Sequence, residues 1–352
     1  MRGRAPGTWH GDPPPGPGGP TGLAGAAGDW NGTRWNVDIE IVICSYNRAA
    51  LLARTLAYLD QADIPTECSV TIKVVLNACT DDSIATIREY ARRRAAETAL
   101  PLRWVEEPRR GKSSALNRAI RETEAAVLAF VDDDHRVDRY YLTALCRAVT
   151  EYQDSSVFCG RILPDWDGRE PVWAHMRGEF AIYPLPVPRY DQGPETRMID
   201  EGGPIPGGGN LFVRRAVFDR VGVFSEELGP KGHNLGGGED SDFVMRALAG
   251  GERLRYVPDA VQYHYVDGDR LKLGYLLRKS YQRSLAVTWV RRQERRLPPR
   301  YLWRKLAGYL WHTTTSLYWP QTRFYLVRIA AILGEIRGHL KSDRPGSMDG
   351  VR

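Results

Sequence analysis

Ala126-Val127-Leu128-Ala129-Phe130-Val131 runs straight into Asp132-Asp133-Asp134. An unbroken apolar run of this length suits a strand buried on both faces, as in the middle of a parallel sheet, and we expect it over 127–131. Three adjacent carboxylates at its end repel one another, and a cation relieves that repulsion most simply. Oxygen ligands of this kind suit Mg2+ or Mn2+. A bare Asp triplet is more often a solvated turn or a helix cap. Its position at the carboxyl end of a central strand, where open α/β sheets bind ligands, favours a site.

On the N-terminal side the same grammar repeats. Strands are expected over 39–44, 71–76 and 102–106, and helices over 49–59, 84–96 and 113–122. Such alternation argues for a doubly wound, mostly parallel sheet flanked by helices. Polar residues cluster where these strands end: Ser45-Tyr46-Asn47-Arg48 after the first, Asn77 to Ser83 after the second. Gly111-Lys112-Ser113 looks like part of a phosphate-binding loop, but the full pattern needs a glycine where Glu106 stands, which excludes an ATPase of that type. Lys112 and Arg118 remain candidates to meet phosphates as point charges.

Beyond the Asp triplet, 164–206 reads as an irregular, loop-rich substrate region, followed by helices over 214–221 and 240–249 and short strands over 255–257 and 261–265. Gly207-Gly208-Gly209-Asn210 has the composition of a flexible joint. Gly237-Gly238-Glu239-Asp240-Ser241-Asp242 is a second acidic cluster at a helix start. The helix dipole alone would favour acids there. The functional alternative is a general base within reach of an acceptor hydroxyl. A lone histidine such as His264 is more often a packing residue than a ligand.

The charge is uneven. From Arg270 to Lys341 sixteen Lys or Arg stand against Glu294 and Glu335, a surplus of +14 in a chain whose formal total is only +6. An acidic body with a basic tail points to an anionic partner for the tail. Its basic residues are interleaved with Trp and Tyr, as suits helices lying on an anionic membrane surface; simple packing on the body is the alternative. Leu302, Leu306, Tyr309 and Leu310 are expected to share one helical face, and a later helix spans 324–340. The five cysteines form no CxxC pair, so we read them as reduced residues of a cytosolic protein. Neither a signal peptide nor an apolar run of spanning length is found.

Taken in order, six motifs resemble the large family 2 of inverting glycosyltransferases with the GT-A fold, from about Ile39 to Val266. They are IVICSYNR, VVLNACTDDS, RRGKSSALNRAI, AFVDDDHRVD, GGGNLFVRRAVFDRVGVF with GGGEDSDFVMRALAGG, and VPDAVQYHY. The resemblance implies an α/β GT-A (Rossmann-like) fold and transfer of a sugar, with inversion, from a nucleotide-sugar to a saccharide or lipid-linked acceptor. It implies that Asp134, Asp132 and His264 hold Mg2+ or Mn2+ and that Asp240 is the base with Glu239 beside it. Ser45, Asn47, Asn77, Asp81, Lys112, Asn117, Asp132 and Asp133 would line the nucleotide. One departure stands out. Many relatives carry a uracil-binding Asp near the end of the second strand, where this chain has Leu76, which leaves the nucleotide open.

The expected organisation is a disordered Gly/Pro-rich segment over 1–37, the GT-A domain over 38–268, a basic helical extension over 269–341 and a flexible tail over 342–352. The expected location is the cytoplasm, peripheral on the inner face of the plasma membrane. A nucleic-acid-binding protein using the tail is the rival from another class. The acidic clusters would repel phosphates, so no nucleic-acid partner is expected. A catalytically inactive GT-A scaffold is the second rival.

Overall fold

The computed structural model describes residues 37–94, 100–183, 185–228, 238–291 and 297–340. The expected disorder over 1–37 and the tail over 342–352 lie outside these residues, apart from Val37, which opens the first strand. The first half alternates strand and helix: β1 (Val37–Ser45), α1 (Ala49–Asp60), β2 (Cys68–Asn77), α2 (Ser83–Arg94), β3 (Leu102–Glu107), α3 (Lys112–Glu122) and β4 (Val127–Phe130). Each element falls within a few residues of its expected span. There follow β5 (His135–Val137), α4 (Tyr141–Glu151), β6 (Val157–Asp165), β7 (Arg197–Ile199), β8 (Leu211–Arg214), α5 (Ala216–Val221), α6 (Glu239–Ala249) and β9 (Leu254–Tyr265). Among the described residues three helices follow: α7 (Leu273–Arg291), α8 (Arg300–Thr315) and α9 (Trp319–Leu340).

The sheet order is β3-β2-β1-β4-β8-β6-β9-β5, with β7 paired to β9. β1, β2, β3, β4, β6 and β9 run one way, and β5, β7 and β8 run against them. The sheet is therefore mostly parallel, as the alternating pattern implied. Alternation along β1 shows why it sits inside: Ile39, Ile41 and Ile43 join one core, while Val42 joins the other. The first core is completed by Leu52, Leu56 and Leu59 of α1 and Leu142, Leu145 and Val149 of α4. The second takes Leu116 and Ile120 of α3 and Phe243, Val244 and Ala247 of α6. Helices on both faces thus bury a sheet whose strand ends carry the polar motifs.

Several expectations are corrected. The two short strands over 255–257 and 261–265 are one strand, β9, which passes Pro258 where its register against β6 shifts between Gly160 and Arg161. That irregularity accommodates a residue lacking an amide hydrogen. The span 164–206 is not wholly irregular, since β7 and a turn of 3-10 helix over Val172–His175 lie within it. β6 and α4, which the sequence pattern did not signal, precede it. Cys68 and Cys146 are joined in a disulfide between the start of β2 and α4, leaving Cys44, Cys79 and Cys159 free. The bridge spans 78 residues and has no local motif to announce it. Disulfides are uncommon in reducing compartments, so the cysteine argument for the cytosol falls away.

The last helices form a small core of their own from Leu302, Ile332 and Ile336, with Leu306 and Tyr309 against it. Leu310, expected on that face, is turned outward and is 48% exposed. α9 also begins five residues earlier than expected, at Trp319, with Pro320 in its first turn. Arg323 of α9 lies 4.7 Å from the Trp173 ring, and Phe180 contacts Tyr318 and Phe324, so the helices dock on the segment after β6. Among the described residues no helix is long and apolar enough to cross a membrane.

Candidate active site

The Asp triplet lies beyond β4, as its sequence position requires, and lines a cavity of about 300 Å3 at the carboxyl ends of the parallel strands. Ser45, Asn77, Lys112 and His264 line it too, together with Arg48 and Arg270. Lys112 Nζ is 2.8 Å from Asp132 Oδ1, and Arg48 Nη1 lies 2.9 Å from Asp133 and 3.0 Å from Asp134. Ser45 Oγ donates to Asp133 at 2.7 Å. The triplet is therefore a multiply held cluster, with Asp133 and Asp134 buried and Asp132 partly exposed, rather than a solvated turn.

Its electrostatics follow from burial and these partners. Burial opposes ionisation of Asp132, but the charge and hydrogen bond of Lys112, with smaller contributions from the neighbouring histidines, together hold the carboxyl far below its usual range. Burial, opposed by Arg48 and reinforced by Asp134, pushes Asp133 up to about 6. Burial of Lys112 is outweighed by Asp132 and Asp240, and its pKa is raised. His264 is pulled down by burial against the attraction of Asp134, which keeps the imidazole neutral.

The remaining predicted residues divide by place. Asn77 lines the cavity and clamps the chain around it, donating to the carbonyls of Glu107 and Arg109 and accepting from the Gly111 amide. Asn47 and Asp81 pin two strand-end loops together: Asn47 Oδ1 accepts from the Thr80 amide at 2.7 Å, and Asp81 accepts from the Ala49 amide at 3.1 Å. Asn117 is not a cavity residue; its amide group exchanges hydrogen bonds with the backbone of Phe224 at 2.9 and 3.0 Å. Arg118 pairs with Glu122 along α3.

The second acidic cluster opens α6, with Gly238 at φ 112° just before it; Gly237 lies outside the described residues. Glu239 is buried, and burial together with the charge of Asp240 raises its pKa, with Lys112 opposing. Glu239 Oε2 and Asp240 Oδ1 are both buried without a hydrogen-bond partner among the described residues. The two acidic clusters meet across the backbone of Gly208 and Gly209. A Cβ on Gly208 would collide with the Asp240 carboxylate, and one on Gly209 would lie 2.7 Å from Asp132 Oδ2 and from His135 Cε1. These glycines are a close backbone approach rather than a flexible joint.

His135 is the residue the sequence reading missed. Asp134, His135 and His264 offer ligand atoms within 4.8 Å of one another. His135 and His264 are direct partners in the antiparallel β5–β9 pair, so their side chains share a face. His135 Nε2 is buried with no hydrogen-bond partner, 3.9 Å from Asp132 and 4.0 Å from Asp134; His264 Nε2 is 3.7 Å from Asp134. These separations are too long for hydrogen bonds yet suited to donors flanking one ion, so the residues fit a divalent cation. Arg48 was in view but unassigned, and Arg270 had no motif to mark it.

Against known proteins, the glycosyl transferase family 2 model matches residues 40–222. The succinoglycan biosynthesis protein ExoM of Rhizobium meliloti (strain 1021) is 26% identical over 245 residues, covering 69% of this chain and 72% of that protein. The mannosyltransferase PcManGT from Pyrobaculum calidifontis, solved with GDP-Man and Mn2+, superposes with a TM-score of 0.51 at 18% identity, over 88% of this chain and 90% of that one. Residues 1–349 of S. aureus TarS give 0.51 at 15% identity, over 85% and 89%. A longer TarS chain matches over 80% of this chain but only 44% of its own length, with a TM-score of 0.49. The fold, the order of the motifs and the family match agree: this chain is a glycosyltransferase and belongs to glycosyl transferase family 2.

Proposed function

We propose that the protein transfers a sugar, with inversion, from a nucleoside-diphosphate sugar to a hydroxyl of a saccharide or lipid-linked acceptor, in the assembly of a polysaccharide or glycoconjugate. The observation that carries this reading is the meeting of two acidic clusters across Gly208 and Gly209, the first of which lines a cavity with Lys112 and Arg48. A divalent cation held by Asp132, Asp134 and His264 would neutralise the diphosphate leaving group. The imidazole favours Mn2+ over Mg2+.

The chain's own residues supply the rest. Lys112 and Arg48 bring fixed positive charge to the phosphates. Ser45 and Asn77 hold the loops that border the nucleotide, Asn47 and Asp81 pin two of those loops together from outside the cavity, and Asn117 anchors the backbone at Phe224. Asp240, with an unpartnered oxygen, takes the proton from the acceptor hydroxyl as it attacks. Buried Glu239 beside it raises the local negative charge and so the basicity of the pair. ExoM, named for succinoglycan biosynthesis, supports the polysaccharide setting, and PcManGT with GDP-Man and Mn2+ supports a cation-bound nucleotide-sugar.

The test is release of nucleotide from UDP-, GDP-, dTDP- and CDP-sugars with Mn2+ or Mg2+, in the presence of saccharide and polyprenyl-linked acceptors. Metal-dependent turnover of one donor, with the product anomer inverted, is the expected result. Donor binding without turnover on any acceptor would favour an inactive scaffold.

The same reading places the acceptor side at a membrane. Along α8 the exposed Trp303, Leu310 and Trp311 form one stripe with Arg300 and Arg304 beside them, and it continues into exposed Leu317, Tyr318 and Trp319. Aromatic residues flanked by cations suit the headgroup region of an anionic bilayer. With vesicles rich in phosphatidylglycerol, Trp311→Glu combined with Leu317→Glu should weaken sedimentation at least tenfold and leave the thermal midpoint unchanged. Equal sedimentation of the wild type with neutral and anionic vesicles would refute the electrostatic part.

A further inference from the structure

The ligand set proposed above, Asp132, Asp134 and His264, gives no role to His135, although its ring lies beside them. We propose that His135 is a second imidazole ligand and that Gln262, wholly buried on β9, is the residue that positions it. The inference depends on the cation reading, and its test separates the two.

The case begins with Gln262. Its side-chain nitrogen donates to the carbonyl of Phe130 at 3.2 Å and to the Tyr141 hydroxyl at 2.7 Å. A backbone carbonyl only accepts, so the amide nitrogen must face it and the amide oxygen must face the other way. That oxygen lies against His135 Nδ1. An amide oxygen likewise only accepts, so Nδ1 carries the hydrogen of the neutral ring and Nε2 carries the lone pair. The carbonyl of Tyr265, 2.6 Å from His264 Nδ1, fixes the second ring in the same tautomer.

Both lone-pair nitrogens therefore lie beside the Asp134 carboxylate, with Asp132 also near His135. Among the described residues nothing else uses the one on His135, since its Nε2 is buried without a partner there. Burying an unpaired ring nitrogen costs stability unless something occupies it. The backbone is fixed as well: Thr55 Oγ1 donates to the carbonyls of Asp133 and His135, at 3.0 and 2.7 Å, and the His135 amide donates to Asp132 at 3.0 Å. Ligating histidines are commonly held through the other ring nitrogen by such a partner, and losing it typically costs 10- to 100-fold in metal affinity.

The probe is Mn2+ alone, with affinity measured by calorimetry and bound nitrogens counted by electron spin echo modulation on the intact chain. The wild type should show two imidazole nitrogens. His135→Phe should show one and bind Mn2+ about 100-fold more weakly, while Gln262→Leu should weaken binding by about 10- to 100-fold. Thermal midpoints without Mn2+ identify any variant that fails to fold, and the wild-type nitrogen count decides the matter even then. A single nitrogen in the wild type, lost in His264→Phe and retained in His135→Phe, would overturn the proposal and leave the cation reading standing. No Mn2+ binding by the wild type would overturn both.

Discussion

Replacing Asp240, the proposed general base, by Asn should lower kcat by about 1000-fold and leave the donor KM within about threefold, because such a base acts in the transition state and adds little to donor binding. The substitution keeps the size of the side chain and removes its ability to take a proton. Gly208→Ala is the informative companion. It leaves every catalytic group intact, yet a Cβ at that position would occupy the space of the Asp240 carboxylate. Displacing a reacting group by about 1 Å can cost on the order of 100-fold, so this variant should also lose kcat, by less than Asp240→Asn. Initial rates over donor and acceptor concentrations check both. If Glu239→Gln proves the more damaging of the acidic changes, the roles of the two neighbours are exchanged.

The second large effect is at Asp134, where activity and stability should move in opposite directions. Asp134→Asn removes a carboxylate placed between His264 and Arg48, and turnover should fall by at least about 1000-fold if cation stabilisation of the leaving group is lost. The cation-free protein should become more stable. Asp133 is pushed up to about 6 by burial, with the neighbouring Asp134 reinforcing the shift. An unfolded Asp titrates near 4, so the folded state binds the extra proton between roughly pH 4 and 6. Stability is therefore lost as pH rises through that window. With Asp134 neutral the repulsion shrinks, and so does the loss. Thermal midpoints from pH 4 to 8 in a chelator should show the variant a few degrees above the wild type at pH 7, with a flatter profile. An equally steep profile in the variant would mean that burial alone sets the Asp133 value. Added Mn2+ should raise the midpoint of the wild type only.

How far these sites could be read from sequence depended on the range of the interactions involved. The Asp triplet, Lys112 and the Glu239-Asp240 pair were visible because each sits where a strong local pattern ends, at a strand or helix boundary. The first four strands were legible for the same reason: a run such as Ile39 to Cys44 is written in consecutive residues. His135 was hidden because β5 is only three residues long and acquires meaning from its pairing with a strand more than a hundred positions later. Gln262 was hidden by the same distance. The glycines were read as a joint because nothing in their neighbours reveals that a carboxylate from α6 lies against them. The disulfide escaped for want of a motif, and so did the bonds between Asn117 and the backbone of Phe224, which join residues far apart in sequence.

The contact at Gly208 and Gly209 also bears on how such enzymes can be recombined. The proposed donor half of the chain ends soon after β4, and the proposed acceptor half supplies α6. Between them the only separation at this point is the thickness of one peptide backbone, with Asp132 and His135 against Gly209 and Asp240 against Gly208. A chimera that joins the first half of one relative to the second half of another must therefore inherit three segments from a single parent: the Asp triplet, the glycine run and the start of α6. Crossovers placed in the segment after β6 would leave that seam with mixed parentage, whereas crossovers before β4 or beyond β9 would carry it across whole.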